Sequence, residues 1–288
     1  MSTLPQELAA KRDRLLATIA SYGSCAVAYS GGVDSAVVAK AAQLALGERS
    51  IAVTGVSASL ADGELEQAAA LARLIGIRHE PLTTNELASA SYIANAPNRC
   101  FHCKTELYTQ LLAFAERLGV AAIASGTNLD DLGDYRPGLA AAAAHGIRQP
   151  LVDCGITKAD VRALAAAWDL PVAAKPASPC LSSRIAYGQT VTPERLRMID
   201  HAEQFIRSLG FPICRVRFRE GDIASVEVPR ELLSRFDNGS TLSAVERELK
   251  QLGFREVTID FAGFRSGSLN EAIQVHSIQL PPRIGAST

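Results

Sequence analysis

The sequence predicts an α/β protein: a Rossmann-like parallel sheet followed by a smaller α+β domain. Strand-like apolar runs alternate with helical patterns from Cys25 to about Trp168, as in a parallel sheet covered by helices on both faces. A glycine-rich turn joins the first of these strands to a helix. The periodicity is lost between Pro171 and Pro193, and a different order of strands and helices follows. We therefore expect a first domain over residues 1–190 and a second over residues 191–288.

The first domain begins with an amphipathic helix and continues as a regular alternation. Its apolar runs predict strands at residues 25–29, 51–56, 78–82, 121–125 and 149–152. Its helical patterns lie at residues 33–46, 62–75, 104–118, 135–145 and 157–168. Pro137 suits a first helical turn, and Thr157 suits an N-cap.

The second domain has fewer and shorter elements. Helical patterns lie at residues 193–209, 230–236 and 242–252, and strand patterns at 213–218, 223–228 and 257–261. This mixed order favours a small α+β unit. Residues 280–288 are expected to form a loose tail.

Composition narrows the class of protein. The 288 residues are 48% hydrophobic with a formal net charge of −1, so a core is easily built and no strong field favours nucleic acid or an anionic membrane. No signal peptide and no apolar run of about 18 residues is found. We expect a cytoplasmic protein. Its six cysteines are then core residues, reactive thiols or metal ligands, and not a disulfide framework.

The strand-to-helix turn after Tyr29 predicts an anion site. Glycines allow close approach of the backbone, and the first N–H groups of a helix point at a bound anion. No Lys follows the glycines as in the common nucleoside-triphosphate loop. Ser-Gly-Gly-Val-Asp-Ser instead resembles the PP-loop of ATP pyrophosphatases, which implies that it holds the pyrophosphate of ATP and that its Asp helps to hold Mg²⁺. The alternative is an ordinary strand-to-helix turn. The residues of this turn, which is called the phosphate loop below, are Ser30, Gly31, Gly32, Asp34 and Ser35.

A second strand end carries a glycine and adjacent carboxylates. Gly126 and Thr127 follow the strand at 121–125, and Asp130 and Asp131 come next. Mg²⁺ in nucleotide sites prefers one or two carboxylates together with phosphate oxygens. The segment is therefore predicted to contribute to ATP and Mg²⁺ binding, with a solvated acidic turn as the alternative.

Three cysteines occupy the predicted cleft. Cys100 and Cys103 form a Cys-x-x-Cys pair, and Cys180 lies in the proline-rich segment. Three thiolates can bind three irons of a 4Fe–4S cluster and leave the fourth iron open for sulfide. A redox pair, a catalytic cysteine without a cluster, and a zinc site completed by His102 remain alternatives. Cys25, Cys154 and Cys214, which lie outside this set, are expected to be buried apolar residues.

An arginine pair in the second domain predicts an anion-binding strand. Arg215 and Arg217 alternate on one strand and so share a face, and Glu203 on the preceding helix would orient them or bind a metal. A salt-bridged surface strand is the alternative.

Together these motifs resemble the LarE family, the ATP-dependent sulfur transferases of nickel-pincer nucleotide cofactor biosynthesis, over nearly the whole chain. The motifs are Ser30 to Ser35, Asn98-Arg99-Cys100 with Cys103-Lys104, Gly126-Thr127-Asn128 with Asp130-Asp131, Gly133-Asp134-Tyr135-Arg136-Pro137-Gly138, Lys175-Pro176-Ala177-Ser178, Cys180-Leu181-Ser182-Ser183-Arg184-Ile185 and Arg215-Val216-Arg217.

The resemblance implies a fold of the PP-loop ATP pyrophosphatase type and a two-step reaction. ATP adenylates a carboxylate of pyridinium-3,5-biscarboxylic acid mononucleotide, and sulfur then displaces AMP; two rounds give the dithio acid. Members with the extra cysteine pair resemble 4Fe–4S sulfur carriers, and others give up the sulfur of a cysteine at the place of Cys180. Arg184, Arg215 and Arg217 would bind substrate, and the resemblance implies a homo-oligomer such as a hexamer.

Three other functions fit parts of the sequence. A cluster-dependent tRNA thiolase shares the phosphate loop and three cysteines, but the chain has no Lys/Arg-rich arm for RNA. An amidating synthetase would not need Cys180. An ATP-binding module without catalysis would use the loop alone.

Overall fold

The computed structural model describes residues 4–133, 136–176, 178–237 and 239–265. Its strands are β1 (Cys25–Ala28), β2 (Ser50–Val56), β3 (Arg78–Thr83), β4 (Ala122–Ala124), β5 (Arg215–Arg219), β6 (Ile223–Glu227) and β7 (Glu256–Ile259). Its α-helices are α1 (Gln6–Ala20), α2 (Val33–Leu46), α3 (Glu64–Ile75), α4 (Ala90–Ile93), α5 (Arg99–Leu118), α6 (Pro137–Ala144), α7 (Pro150–Asp153), α8 (Lys158–Ala167), α9 (Pro193–Ser208) and α10 (Gly239–Gln251).

The described residues form two compact units. The first contains most of the chain up to Cys180, and the second contains most of the chain from Leu181 onward together with Asn95–Pro97. The segments predicted at Asp134, Tyr135, Ala177 and the tail 280–288 lie outside the described residues.

The first unit is built on a parallel sheet with the strand order β3-β2-β1-β4. The chain moves outward from β1 to β3 and then crosses back to place β4 on the other side of β1. This reversal opens a crevice at the carboxyl ends of β1 and β4, which is where ligands bind in such sheets. The predicted α/β class and parallel sheet are confirmed.

Helix α2 is the central helix of this unit. It follows β1 directly and packs against α1, α3 and α8. Ala36, Ala39 and Ala42 are fully buried on it, and their small side chains let neighbouring helices approach. Leu15 and Ile19 of α1 are also fully buried, and burial of such a side chain contributes about 1.5–3 kcal/mol. The phosphate loop therefore leads into a helix that is held in place by its packing against three other helices.

Two expectations for local structure are wrong. Residues 149–152 form the helical turn α7 with Pro150 at its start, and the sheet is extended only by an isolated bridge between Ala124 and Arg148. Proline at the first helical position and a segment too short to show periodicity explain the difference. The helix predicted from residue 104 begins at Arg99, so Cys100 and Cys103 lie on α5 and not in a loop before it.

The second unit contains a three-stranded sheet with the order β5-β6-β7. Strands β5 and β6 are antiparallel, and β6 and β7 are parallel. Helices α9 and α10 contribute buried apolar residues, among them Leu196, Ile199 and Leu249. The segment 230–236 is a 3-10 helix. This arrangement is the α+β unit expected from the sequence.

None of the helices within the described ranges is long and apolar enough to cross a membrane.

Candidate active site

The phosphate loop is held in shape by its two serines. The Ser35 hydroxyl donates to the carbonyl of Gly32 at 3.0 Å and lies 3.2 Å from both the amide nitrogen and the hydroxyl of Ser30. The first bond of helix α2 joins the amide of Ala36 to the same Gly32 carbonyl at 2.9 Å. The amides that precede Ala36 at the start of a helix have no carbonyl partner within the helix, which is what anion binding requires.

Two glycines allow close packing around this loop. Gly31 has a φ of +70°, and a Cβ there would lie 3.1 Å from the Cβ of Ala68 on α3. A Cβ on Gly126 would lie 2.7 Å from the amide nitrogen of Ser35. The segment after β4 thus contacts the backbone of the phosphate loop, and no side chain fits between them.

Asp34 is part of a ring of four residues. Its Oδ1 accepts a hydrogen bond from the Asn128 side chain at 3.1 Å, and its Oδ2 pairs with the ammonium group of Lys158. The amide of Lys158 donates to Asp130 Oδ2 at 2.8 Å, and the amide of Asp130 donates to the Asn128 side-chain oxygen at 3.0 Å. Asp130 therefore orients Lys158 in this structure.

Asp131 has a different environment. Its carboxylate accepts from the Asn128 amide at 3.0 Å and pairs with Arg136 at 2.8 Å, and it lines the cavity above the loop. Of the two adjacent carboxylates, Asp131 is thus the one that faces the cavity.

A cavity of about 420 Å³ opens over the loop, a volume suited to a small-molecule ligand. The predicted residues that line it are Ser30, Gly32, Asp34, Ser35, Gly126, Thr127, Asp131, Cys103 and Cys180. Tyr29, Val53, Leu107 and Tyr108 supply apolar surface. One cavity of the first unit thus brings the phosphate loop together with two of the three predicted cysteines.

The cysteines of this set differ in exposure. Cys100 and Cys103 lie three residues apart on α5, which puts them on neighbouring positions of one helix face. Cys100 and Cys180 are exposed, and Cys103 is partly buried. Burial, followed by the nearby Cys180 and Glu86, raises the pKa of the Cys103 thiol to about 12. The other three cysteines of the chain are buried, as expected.

Two cations adjoin these sulfur atoms. Arg99 is 3% exposed, and its guanidinium lies 4.0 Å from the Cys100 sulfur. Burial lowers the pKa of Lys104, but Tyr108 and the cysteine sulfurs outweigh this effect and leave its pKa raised. Two positive charges therefore lie beside the cysteine set.

Glu86 is a buried carboxylate that sequence reasoning missed. It is 2% exposed, and it accepts hydrogen bonds from Ser57, Ser59 and Thr84. Within the described part of the chain, no Lys, Arg or His forms an ion pair with it. All four residues line the cavity, so they add a negatively charged wall near Cys103.

The arginine cluster lies in the second unit. Arg184 makes a two-pronged ion pair with Glu203 at 3.0 and 3.2 Å, and Arg217 makes one with Glu227 at 2.9 and 3.2 Å. Glu203 also accepts the amide of Val216 at 3.1 Å. These pairs are buried, so the strand is not a salt-bridged surface strand.

Arg215 differs from its neighbours. It is 4% exposed, its guanidinium lies 4.6 Å from the centre of the Phe264 ring, and no described residue forms a hydrogen bond or ion pair with it. Burial, and then the positive charges of Arg184 and Arg217, lower the pKa of Arg215 to about 10. A buried guanidinium without a carboxylate partner is suited to an anionic ligand.

Comparisons with known proteins identify the family. Residues 10–105 match the NAD synthase family. The chain is 38% identical over 267 residues to the pyridinium-3,5-bisthiocarboxylic acid mononucleotide synthase of Lactiplantibacillus plantarum, a match covering 92% of this chain and 96% of that protein. The chain belongs to the LarE family of ATP-dependent sulfur transferases.

Two other relatives are similar to the chain. The chain is 44% identical over 247 residues to an uncharacterized protein of Synechocystis, covering 86% of this chain and 92% of that one. It is also 34% identical over 212 residues to a tRNA-specific 2-thiouridylase of Xanthobacter autotrophicus, covering 59% of this chain and 54% of that protein. The predicted enzyme class is confirmed.

The cysteines of this LarE protein can be compared with what a zinc ion and a 4Fe–4S cluster each require. Among the described residues, no three His, Cys, Asp or Glu side chains are grouped as ligands of one metal ion, whereas a Cys₃His zinc site needs four such side chains around one ion. A 4Fe–4S cluster makes a different demand, because each thiolate binds a separate iron. Three thiols with Arg99 and Lys104 beside them fit that demand in residue type and charge.

Substitution of Gly126 tests the close contact between the two strand-end loops. Gly126→Ala should weaken ATP binding about 5- to 150-fold, because overpacking against backbone costs about 1–3 kcal/mol and 1.4 kcal/mol is a factor of ten. Gly133→Ala is the matched control, since a Cβ there meets nothing within 4 Å. Equal ATP affinities of the two variants, measured by calorimetry, would contradict the contact.

Proposed function

We propose that this enzyme adenylates the carboxylates of pyridinium-3,5-biscarboxylic acid mononucleotide and replaces AMP by sulfur. The observation that carries the proposal is the cavity shared by the phosphate loop and the sulfur-bearing residues Cys103 and Cys180. An amidating synthetase has no use for thiols beside its nucleotide. An ATP-binding module has no use for them either.

The first step activates the substrate. A carboxylate oxygen attacks the α-phosphorus of ATP, the bond to the β-phosphate bridge breaks, and pyrophosphate leaves. The amides at the start of α2 and the hydroxyl of Ser30 would bind that pyrophosphate. Asp34 in the first turn of α2 and Asp131 after β4 both line the cavity and would hold Mg²⁺ with its water shell.

The second step transfers sulfur. A sulfur nucleophile attacks the carbonyl carbon of the acyl adenylate, AMP leaves with the electron pair of the broken C–O bond, and a thiocarboxylate remains. Anionic sulfur is a strong nucleophile at neutral pH. Arg99 and Lys104 supply two positive charges next to the Cys100 sulfur. Two rounds convert both carboxylates.

Cys100, Cys103 and Cys180 would hold a 4Fe–4S cluster in this proposal. Such a cluster supplies an open iron that can carry sulfide. The residues of this chain supply three thiolates and two adjacent positive charges, and these charges offset the negative charge of the thiolates. The alternative source of sulfur is Cys180 itself, which is exposed. Its thiolate would displace AMP to form a thioester. Loss of the Cα proton and cleavage of the Cβ–S bond would then release the thiocarboxylate and leave dehydroalanine, so that the cysteine is spent in one turnover.

We further propose that Arg215 binds an anionic group of the substrate, with Arg184 and Arg217 held rigid beside it by their carboxylate partners. The partner is then a small nucleotide and neither nucleic acid nor membrane, and we propose a cytoplasmic homo-oligomer. The similarity to a tRNA thiouridylase makes tRNA the competing substrate. Tight tRNA binding at about 150 mM salt would favour it.

Separation of the two steps tests the reaction. Cys180→Ala should still release pyrophosphate in the presence of substrate but form no thiocarboxylate, because sulfur transfer needs this thiol. Asp34→Ala should lose both products. The measurement is a single-turnover assay with pyrophosphate detection and mass spectrometry of the substrate. Full thiocarboxylate formation by Cys180→Ala would contradict the sulfur role.

Iron and acid-labile sulfide per chain distinguish the two sulfur sources. After anaerobic purification, wild type should contain about four of each, and Cys100→Ala should lose them because one of three thiolate ligands is gone. Cys214→Ala is the control, since this buried cysteine belongs to the second unit. If wild type holds no iron after reconstitution, Cys180 is the source of the sulfur. Mass spectrometry of the protein should then show the loss of sulfur from Cys180.

Arg215→Ala tests the anion site with little structural damage, because no described carboxylate loses its partner. Substrate affinity should fall about 10- to 100-fold, since bonds from a charged donor contribute about 1.5–3 kcal/mol. ATP affinity should change far less. Arg219→Ala on the exposed end of the same strand is the control. Equal losses for both ligands would point to a structural role.

A further inference from the structure

The ion pair between Lys158 and Asp34 places a positive charge at the loop where Mg²⁺ is expected. The two residues are 124 positions apart in sequence, and the Lys158 ammonium lies on Asp34 Oδ2. The other oxygen of Asp34 accepts from the neutral amide of Asn128. Both oxygens are therefore occupied, one of them by a full positive charge.

The backbone of Lys158 is firmly fixed. It is the first residue of α8, and its amide is bound by Asp130. Thr157 and Asp160 form a capping box at the same helix start, and Asp160 pairs with Lys11 at 2.7 Å. The backbone at the start of α8 therefore stays in place when the Lys158 side chain moves.

The side chain of Lys158 has freedom that its backbone lacks. It is 34% exposed, and among the described residues its ammonium group has a polar contact with Asp34 alone. Four methylene groups let the ammonium rotate through several ångströms about a fixed Cα. The Lys158 ammonium can therefore reach a position next to the phosphate loop, because Asp34, which it contacts, is in the first turn of α2.

A divalent cation and this ammonium cannot share Asp34 Oδ2. Two positive charges in contact with the same carboxylate oxygen repel each other strongly at the effective dielectric of a protein surface. Binding of Mg²⁺ at Asp34 therefore requires the ammonium to leave. The nearest new source of negative charge would be the triphosphate that arrives with Mg²⁺.

We propose that Lys158 is an exchangeable countercharge of the phosphate loop. Without nucleotide, its ammonium neutralises Asp34 and excludes free divalent cations. When MgATP binds, Mg²⁺ takes over Asp34, and the ammonium moves to a phosphate oxygen of the departing pyrophosphate. Release of pyrophosphate returns Lys158 to Asp34 and expels Mg²⁺ with the product. This inference rests on the proposed function for its nucleotide steps and on the ion pair alone for the exclusion of free cations.

The test uses Mn²⁺ as a spectroscopic probe and the full-length protein. Electron paramagnetic resonance measures Mn²⁺ binding without nucleotide. Lys158→Met keeps the apolar stem and should bind Mn²⁺ about tenfold more tightly than wild type. The double variant with Asp34→Asn should lose this gain. Lys11→Met is the matched control, since it removes a lysine that anchors the same helix through Asp160 and should leave Mn²⁺ affinity unchanged.

Magnesium pyrophosphate tests the second half of the exchange. Lys158→Met should bind it at least about tenfold more weakly, and Lys158→Arg should recover part of the affinity because the positive charge is restored. Unchanged Mn²⁺ affinity in Lys158→Met, or a gain that persists with Asp34→Asn, would overturn the exclusion of free cations. Unchanged pyrophosphate affinity would overturn the transfer to phosphate.

Failure of the proposed function gives a different result. If wild type binds neither MgATP nor magnesium pyrophosphate, the nucleotide steps are overturned together with the proposed function. The Mn²⁺ comparison still decides whether Lys158 controls access of cations to Asp34.

Discussion

The contact between Gly126 and the start of α2 is the constraint on which the active site depends. The strand end after β4 lies so close to the amide of Ser35 that only glycine fits. This contact joins two loops that are about ninety residues apart in sequence and brings their carboxylates to one edge of the sheet. The phosphate loop, Asp131 and the cavity follow from that single approach of two backbones.

Much of this arrangement could be predicted from local sequence. Apolar runs and glycine turns are strong signals, and they predicted β1, α2 and the parallel sheet. Short or proline-led segments gave weaker signals. Residues 149–152 were mistaken for a strand because four residues carry no periodicity, and the start of α5 was missed because Arg99 and the two cysteines do not resemble an apolar helix face.

The ring around Asp34 could not be predicted, because it depends on tertiary proximity. Lys158 gave one usable signal, its position at the start of a helix after a good N-cap, but nothing in the sequence relates it to Asp34. Glu86 gave none. The pairing of Arg184 with Glu203 and of Arg217 with Glu227 was equally hidden, because alternation along a strand predicts a shared face and not the partner of each side chain.

The location of two cysteines on α5 has a mechanical consequence. A continuous helix fixes the separation of the Cα atoms of Cys100 and Cys103 by its own backbone hydrogen bonds, so these two sulfur atoms move relative to each other only by side-chain rotation. Cys180 lies outside any helix or strand. Larger changes in the distances among the three sulfur atoms, whether to bind a cluster or to transfer a sulfur atom, therefore depend on movement of the backbone at Cys180.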